Sequence, residues 1–126
     1  METVLHMVSK KEVENAKSEG YYQPTSFVDE GFIHCSYSHQ VCRVANLFYR
    51  GKTDLVLLEI NKARTGCDVI DEDLYDSGEN FPHIYGKLSW EAVVAIHEFP
   101  CNDDGTFELP TTINPHKISI KFNSGE

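Results

Sequence analysis

The chain has 126 residues, 40% of them hydrophobic and 25% charged, the make-up of one ordinary globular domain and not of a disordered or fibrous protein. Eleven basic residues against twenty acidic ones give a formal net charge of -9, a field that opposes phosphate-rich partners, so nucleic acid is not an expected partner. The longest apolar runs, LVLL at 55–58 and AVVAI at 92–96, are strand-sized and too short to cross a bilayer.

The chain meets charge at once in METVLHMVSKKEVE, with no basic segment leading into an apolar one. It therefore reads as cytoplasmic, with no membrane partner. Cys35, Cys42, Cys67 and Cys101 show no paired spacing and are expected to be reduced.

TVLHMV, residues 3–8, suits a strand with Val4, His6 and Val8 on one face and Leu5 and Met7 on the other. Ser9 stands three residues before Glu12, the spacing of a capping box, and opens a helix through Lys17 with a left-handed stop at Gly20. Tyr21 to Asp29 reads as a connection. GFIHCS, residues 31–36, is a second strand, and Ser36 or Ser38 caps the helix after it. Val41, Val44, Ala45 and Phe48 give that helix a buried stripe, and Gly51 ends it.

DLVLLEI, 54–60, is nearly continuous in apolar residues and predicts a central strand buried on both faces. CDVI, 67–70, predicts a short strand, and the acidic DEDLYDSGEN after it an exposed loop. AVVAIHEF, 92–99, is a strong strand, and NDDG at 102–105 turns into TFEL. ISIKF alternates, with Ile118, Ile120 and Phe122 on one face. The pattern predicts a single α+β domain with a curved, largely antiparallel sheet and two early helices. Its core spans about 3–110, with 111–126 a C-terminal extension.

Two motifs carry the candidate chemistry. In an extended GFIHCS, Phe32, His34 and Ser36 share a face, while Ile33 and Cys35 point the other way. An imidazole and a hydroxyl then stand side by side, able to bond a sugar hydroxyl, an amide or a phosphate. FPHIYG, residues 81–86, repeats the geometry with His83 and Tyr85, and Gly86 admits a tight turn or close backbone approach by a ligand. A histidine in either motif also serves as a satisfied core residue. Glu72 can stabilise cationic charge on a sugar ring, although an acidic run is more simply a solvated face. His6, between two valines, reads first as structural. His39, His97 and His116 have no supporting pattern. No metal site is expected, because His34 and His39 lie five apart and no CxxC occurs. Cys35 diverges from His34 and reads as an inert buried thiol.

GFIHCS, then VANLFYRG with DLVLLEI, then FPHIYGKL followed by AVV, resemble the domain-of-unknown-function family 952, over nearly the whole chain from VLHMVS to DGTFELP. Proteins of that family look like a compact, divergent ADP-ribosyltransferase scaffold, which implies a cleft in a split sheet that holds NAD or an ADP-ribose-like group. By that resemblance His6 takes the ribose-contacting position, and His34 and Ser36 line the nicotinamide-ribose side. Tyr85 stacks on a ring, and Glu72 is the carboxylate near the reacting sugar. His83 has no counterpart there, and the usual tyrosine and glutamate strands are not evident.

The combined expectation is a small-ligand pocket. Its catalytic candidates are His34, His83 and Glu72, and its binding candidates are His6, Ser36, Tyr85 and Gly86. The activity implied is transfer or hydrolysis at a ribose carbon, with NAD as substrate. The rivals are a binding module without catalysis and a structural or partner-binding domain.

Overall fold

The computed structural model describes residues 1–113. Its elements run β1 (Thr3–Ser9), α1 (Lys10–Ala16), β2 (Tyr21–Tyr22), α2 (Phe27–Glu30), β3 (Ile33–His34) and α3 (Val41–Phe48). They continue with β4 (Leu55–Asn61), β5 (Asp68–Glu72), β6 (Phe81–Tyr85), β7 (Leu88–Ser89) and β8 (Val93–Glu98). Short 3-10 turns at Lys62–Arg64 and Trp90–Ala92 lead into β5 and β8. The alternation expected over 118–122 and the unpatterned His116 lie outside the described residues.

Among the described residues every strand pairing is antiparallel, in three sheets ordered β1-β4-β8, β2-β7 and β3-β6-β5. The first and third meet at one bridge, where Leu5 and Ser36 exchange two backbone hydrogen bonds of 2.8 Å. Backbone pairing thus runs from β8 through β4 and β1 to β3, β6 and β5, interrupted only where a single residue pair carries it.

Alternation explains the layers. Val4 and Val8 of β1, with Val56, Leu58 and Ile60 of β4, enter one core with Val13, Tyr22, Ile33, Ile84 and Leu88. Leu5, Leu55 and Leu57 face the other way, into a second core with Val41, Ala45, Phe99, Phe107 and Ile113. β4 is therefore central and buried on both faces, as the DLVLLEI run predicts, because it separates two cores. No helix among the described residues is long and apolar enough to cross a membrane.

Several local expectations need correction. The Ser9 hydroxyl accepts from the Glu12 amide at 3.2 Å, but α1 ends at Ala16, and Gly20 is not left-handed. The supposed connection after it holds β2 and the four-residue α2, so three early α-helices replace two. α3 takes no serine cap. Gln40 occupies that place without a side-chain bond to the helix, its side-chain oxygen Oε1 accepting from the Tyr37 amide at 2.9 Å. Val41 and Ala45 are buried, but Phe48 is 73% exposed, because the last turn of α3 passes the edge of the core. Glu72 lies in a paired strand and not in the acidic loop.

Candidate functional site

The β3-β6-β5 sheet buries Ile33 and Ile84 on one face, with Val69 packed against the same core. Alternation then sends the chemistry-bearing side chains to the other. His34 stands opposite His83 across β3 and β6, and Asp68 stands opposite Tyr85 across β5 and β6. The two imidazoles meet edge to face, ring centroids 5.0 Å apart. Phe32 stacks on His83 at 4.2 Å and touches the His34 ring at 4.8 Å. The residue types are those that β-pairing tolerates, yet the face presents imidazole, carboxylate and phenol where aliphatic side chains would have packed.

Glu72 is the electrostatic centre. Its Oε2 accepts from Nδ1 of His83 at 2.9 Å and from the Tyr85 hydroxyl. The two donors, Tyr85 foremost, hold the carboxyl below the usual glutamate range, so it is an anion at neutral pH. The same contact pushes the Tyr85 phenol up to about 12, which keeps its proton in place. His83 is 1% exposed, and its Nε2 is buried without a hydrogen-bond partner among the described residues. Nδ1 is committed to Glu72, which leaves Nε2 as the unpartnered edge of the His83 ring.

His34 is half-buried, and burial lowers its pKa from the ordinary histidine value, with Glu30 partly offsetting this. It is therefore mostly neutral at pH 7. Its Nε2 hydrogen-bonds the Tyr75 hydroxyl at 2.7 Å and lies 3.3 Å from the Glu30 carboxylate. The Tyr75 ring stacks on His34 at 5.6 Å and 20°, while remaining 57% exposed. A tightly built loop holds Tyr75 there. The Asp73 carboxylate caps the Ser77 and Gly78 amides at 2.9 and 2.7 Å, and Asp76 takes a left-handed φ of 55°. Glu79 bonds Arg43 and Gln40 of the α3 region, and Gln40 also donates to the Asn80 carbonyl at 2.8 Å. The acidic segment thus caps its own turn through Asp73 and is anchored to the α3 region through Glu79 and Asn80.

The remaining candidates sit behind or beside this face. His6 is buried, and its Nδ1 lies 2.6 Å from the carbonyl of His34. A carbonyl only accepts, so Nδ1 carries the proton, and the Tyr22 hydroxyl donates to Nε2 at 2.9 Å. Burial lowers the His6 pKa to about 4, so the ring is neutral. His6 thus orients His34 through the backbone. Ser36 is buried at the bridge to Leu5. Gly86 leaves room for Cys67, because a Cβ there would meet Sγ at 2.6 Å. Cys35 is buried, and burial drives its thiol pKa up.

Two open grooves adjoin the face at the β4–β5 connection. One, of about 510 Å³, is lined by Glu2, Lys62, Asp68 and Val69 among others. The second, of about 490 Å³, is lined by Lys62, Thr65, Cys67, Asp68 and Tyr85 among others. Of the sequence-named candidates, only Tyr85 lines either one.

Sequence reasoning missed Tyr75 and Glu30 as neighbours of His34. The spacing of Asp73 to Ser77 and Gly78, that of a capped turn, was the signal that this loop is built and can present a side chain.

Comparison with known proteins adds kinship. A crystal structure of protein CC0527 from Caulobacter crescentus superposes with TM-score 0.75 at 29% identity, covering 85% of this chain and 94% of that one. A double mutant of the same protein gives the same values. Its solution NMR structure, at 24% identity and TM-score 0.69, covers 90% of this chain and 97% of that one and supports the fold alone. No protein with a curated description matches. The family described as "Protein of unknown function (DUF952)" matches residues 7–96, a span that holds both histidine motifs, Glu72 and Tyr75, and the chain belongs to that family.

Proposed function

We propose that the face formed by His34, Glu72 and His83 binds a ribonucleotide of the NAD or ADP-ribose class and acts at the ribose carbon bonded to the base nitrogen. The observation that carries this reading is the Glu72 carboxylate, kept anionic by His83 and Tyr85 beside the exposed rings of Tyr75 and Tyr85. Breaking a C1′–N bond to a pyridinium ring leaves an electron pair on nitrogen and positive charge on C1′ and the ring oxygen. A fixed anion nearby stabilises that charge as it develops.

Water, or an acceptor hydroxyl, then forms the new bond at C1′, and neutral His34 takes the displaced proton. His83 holds Glu72, and His6 holds His34. The exposed tyrosine rings offer stacking surfaces for the planar base. The resemblance of the family to a divergent ADP-ribosyltransferase scaffold, in which His6, His34, Ser36, Tyr85 and Glu72 would take ribose-side positions, points to the same reading as fold-level analogy alone.

Release of nicotinamide from NAD, followed chromatographically, tests it. Glu72→Gln keeps the shape and removes the charge, and is expected to lower turnover about a hundredfold to a thousandfold, the scale of losing one preorganised electrostatic group. Wild-type turnover unaltered by Glu72→Gln would refute the role of the anion. A second reading, a binding module without catalysis, is favoured by one observation: Glu72 and His34 are already hydrogen-bonded to protein partners. Retention of intact NAD over hours without nicotinamide release would select it.

A further inference from the structure

From Lys62 and the groove it lines, we infer a phosphate-binding subsite that extends the ribonucleotide site around the edge of β5. It rests on the proposed function and adds the chemistry that grips the ligand's phosphate end.

The two grooves share Lys62, Ala63, Cys67 and Asp68, so they form one trough around the β4–β5 connection. One end is Tyr85, whose hydroxyl bonds Glu72. Among the described residues Lys62 is the one lysine or arginine lining the trough, in a chain whose net charge is -9. A lysine on such a surface normally waves in solvent, but this side chain is only 22% exposed. Its ammonium donates to the Tyr37 hydroxyl at 2.8 Å and lies 5.2 Å from that ring's centre. Tyr37 is itself fixed by donating to Asp71 at 2.7 Å. The contact with Tyr37 also raises the Lys62 pKa, so the charge is permanent at neutral pH.

An ammonium has three donors. Tyr37 takes one, and Glu2 takes another only at 3.5 Å, through a side chain that is 67% exposed and free to yield. A preorganised cation with donor capacity left, in a groove, is what a phosphate oxygen needs. Asp68 lines both grooves and stands opposite Tyr85, where it can accept from sugar hydroxyls. With Lys62 as the cation of the trough and Tyr85 bonded to Glu72, a ligand runs with its phosphates at Lys62 and its ribose towards Tyr85 and Glu72.

The same contacts would also serve a purely structural clamp between the β4–β5 connection and Tyr37. Binding of ADP-ribose and of nicotinamide riboside, which lacks phosphate, separates the two roles. Calorimetry on wild type, Lys62→Met and Lys62→Arg is expected to show Lys62→Met weakening ADP-ribose about tenfold to a hundredfold, the worth of one charge-assisted hydrogen bond. Nicotinamide riboside should bind all three alike, and Lys62→Arg should restore most of the ADP-ribose affinity. Wild-type affinity for ADP-ribose should also fall with added salt.

Both ligands weakened equally by Lys62→Met, or neither weakened, would overturn the phosphate subsite while leaving the ribose reading intact. Neither ligand binding wild type would overturn both. Should Lys62→Met fail to fold, the salt dependence and Lys62→Arg decide: ADP-ribose affinity indifferent to salt overturns the subsite.

Discussion

Acid should destabilise this protein through His6, and the size of the effect follows from its burial. The ring is neutral in the fold, with Nδ1–H on the His34 carbonyl and Nε2 accepting from Tyr22. A proton on Nε2 would force the Tyr22 hydroxyl to turn from donor to acceptor and leave a charge in the core. Its pKa falls from 6.5 to about 4, so the unfolded chain takes up a proton that the folded one refuses. Stability is whole above pH 6.5, declines as the pH falls towards 4, and is level below that. At 1.36 kcal/mol per pH unit the full loss is about 3 kcal/mol, and about 2 kcal/mol is lost by pH 5. Urea unfolding of wild type and His6→Gln at pH 7.5 and pH 5 measures it. His6→Gln should cost about 1–3 kcal/mol at pH 7.5 through its broken buried hydrogen bonds. At pH 5 the gap should shrink by about 2 kcal/mol, because only wild type carries the titrating group. Groups that ionise alike in both proteins cancel in the difference. Parallel stability profiles for the two proteins between these pH values would refute the reasoning.

Three further outcomes are expected. Tyr85→Phe removes the larger of the two influences on Glu72, so the Glu72 carboxyl pKa should rise towards its ordinary value in a carbon-detected NMR titration; an unchanged value would mean the phenol does not hold the anion. Gly86→Ala should destabilise by about 1–3 kcal/mol through the contact with Cys67 Sγ, and by less in a Cys67→Ala background; equal costs in both backgrounds would place the strain elsewhere. Gln40→Ala should speed amide exchange across residues 73–80, because it frees the Asn80 carbonyl and leaves Glu79 with Arg43 alone; unchanged exchange would show that Asp73 and the Arg43–Glu79 pair suffice to hold the loop.

Much of the strand framework is legible in the sequence because period-two patterning has one meaning where both faces are buried. TVLHMV and DLVLLEI sort their side chains between two cores, and the strands of GFIHCS and FPHIYG pair directly. The errors fall where local signals compete. Ser36 and Ser38 both look like caps, but Gln40 stands at the cap position without a side-chain bond to α3, its amide group bonding the Tyr37 amide and the 79–80 loop instead. Phe48 fits the helical stripe, yet the stripe outlasts the surface it packs on. In the site, alternation reveals which side chains leave each strand together. It carries no information on register between distant strands, so the meeting of Glu72 with His83 could not be derived from sequence. The role of Tyr75 was hidden in a segment whose acidity resembles simple solvation, although Asp73 and Glu79 are the loop's internal fastenings.

The central claim, a ribonucleotide held on the His34 and Glu72 face, is tested most directly by thermal unfolding of wild type and His34→Ala with and without ADP-ribose. At a hundred times its dissociation constant the ligand should stabilise wild type by about 2.7 kcal/mol, a clear rise in Tm. His34→Ala should lose that rise while still unfolding cooperatively. A rise that persists in His34→Ala would place the ligand elsewhere, and no rise in wild type would contradict the ribonucleotide reading itself.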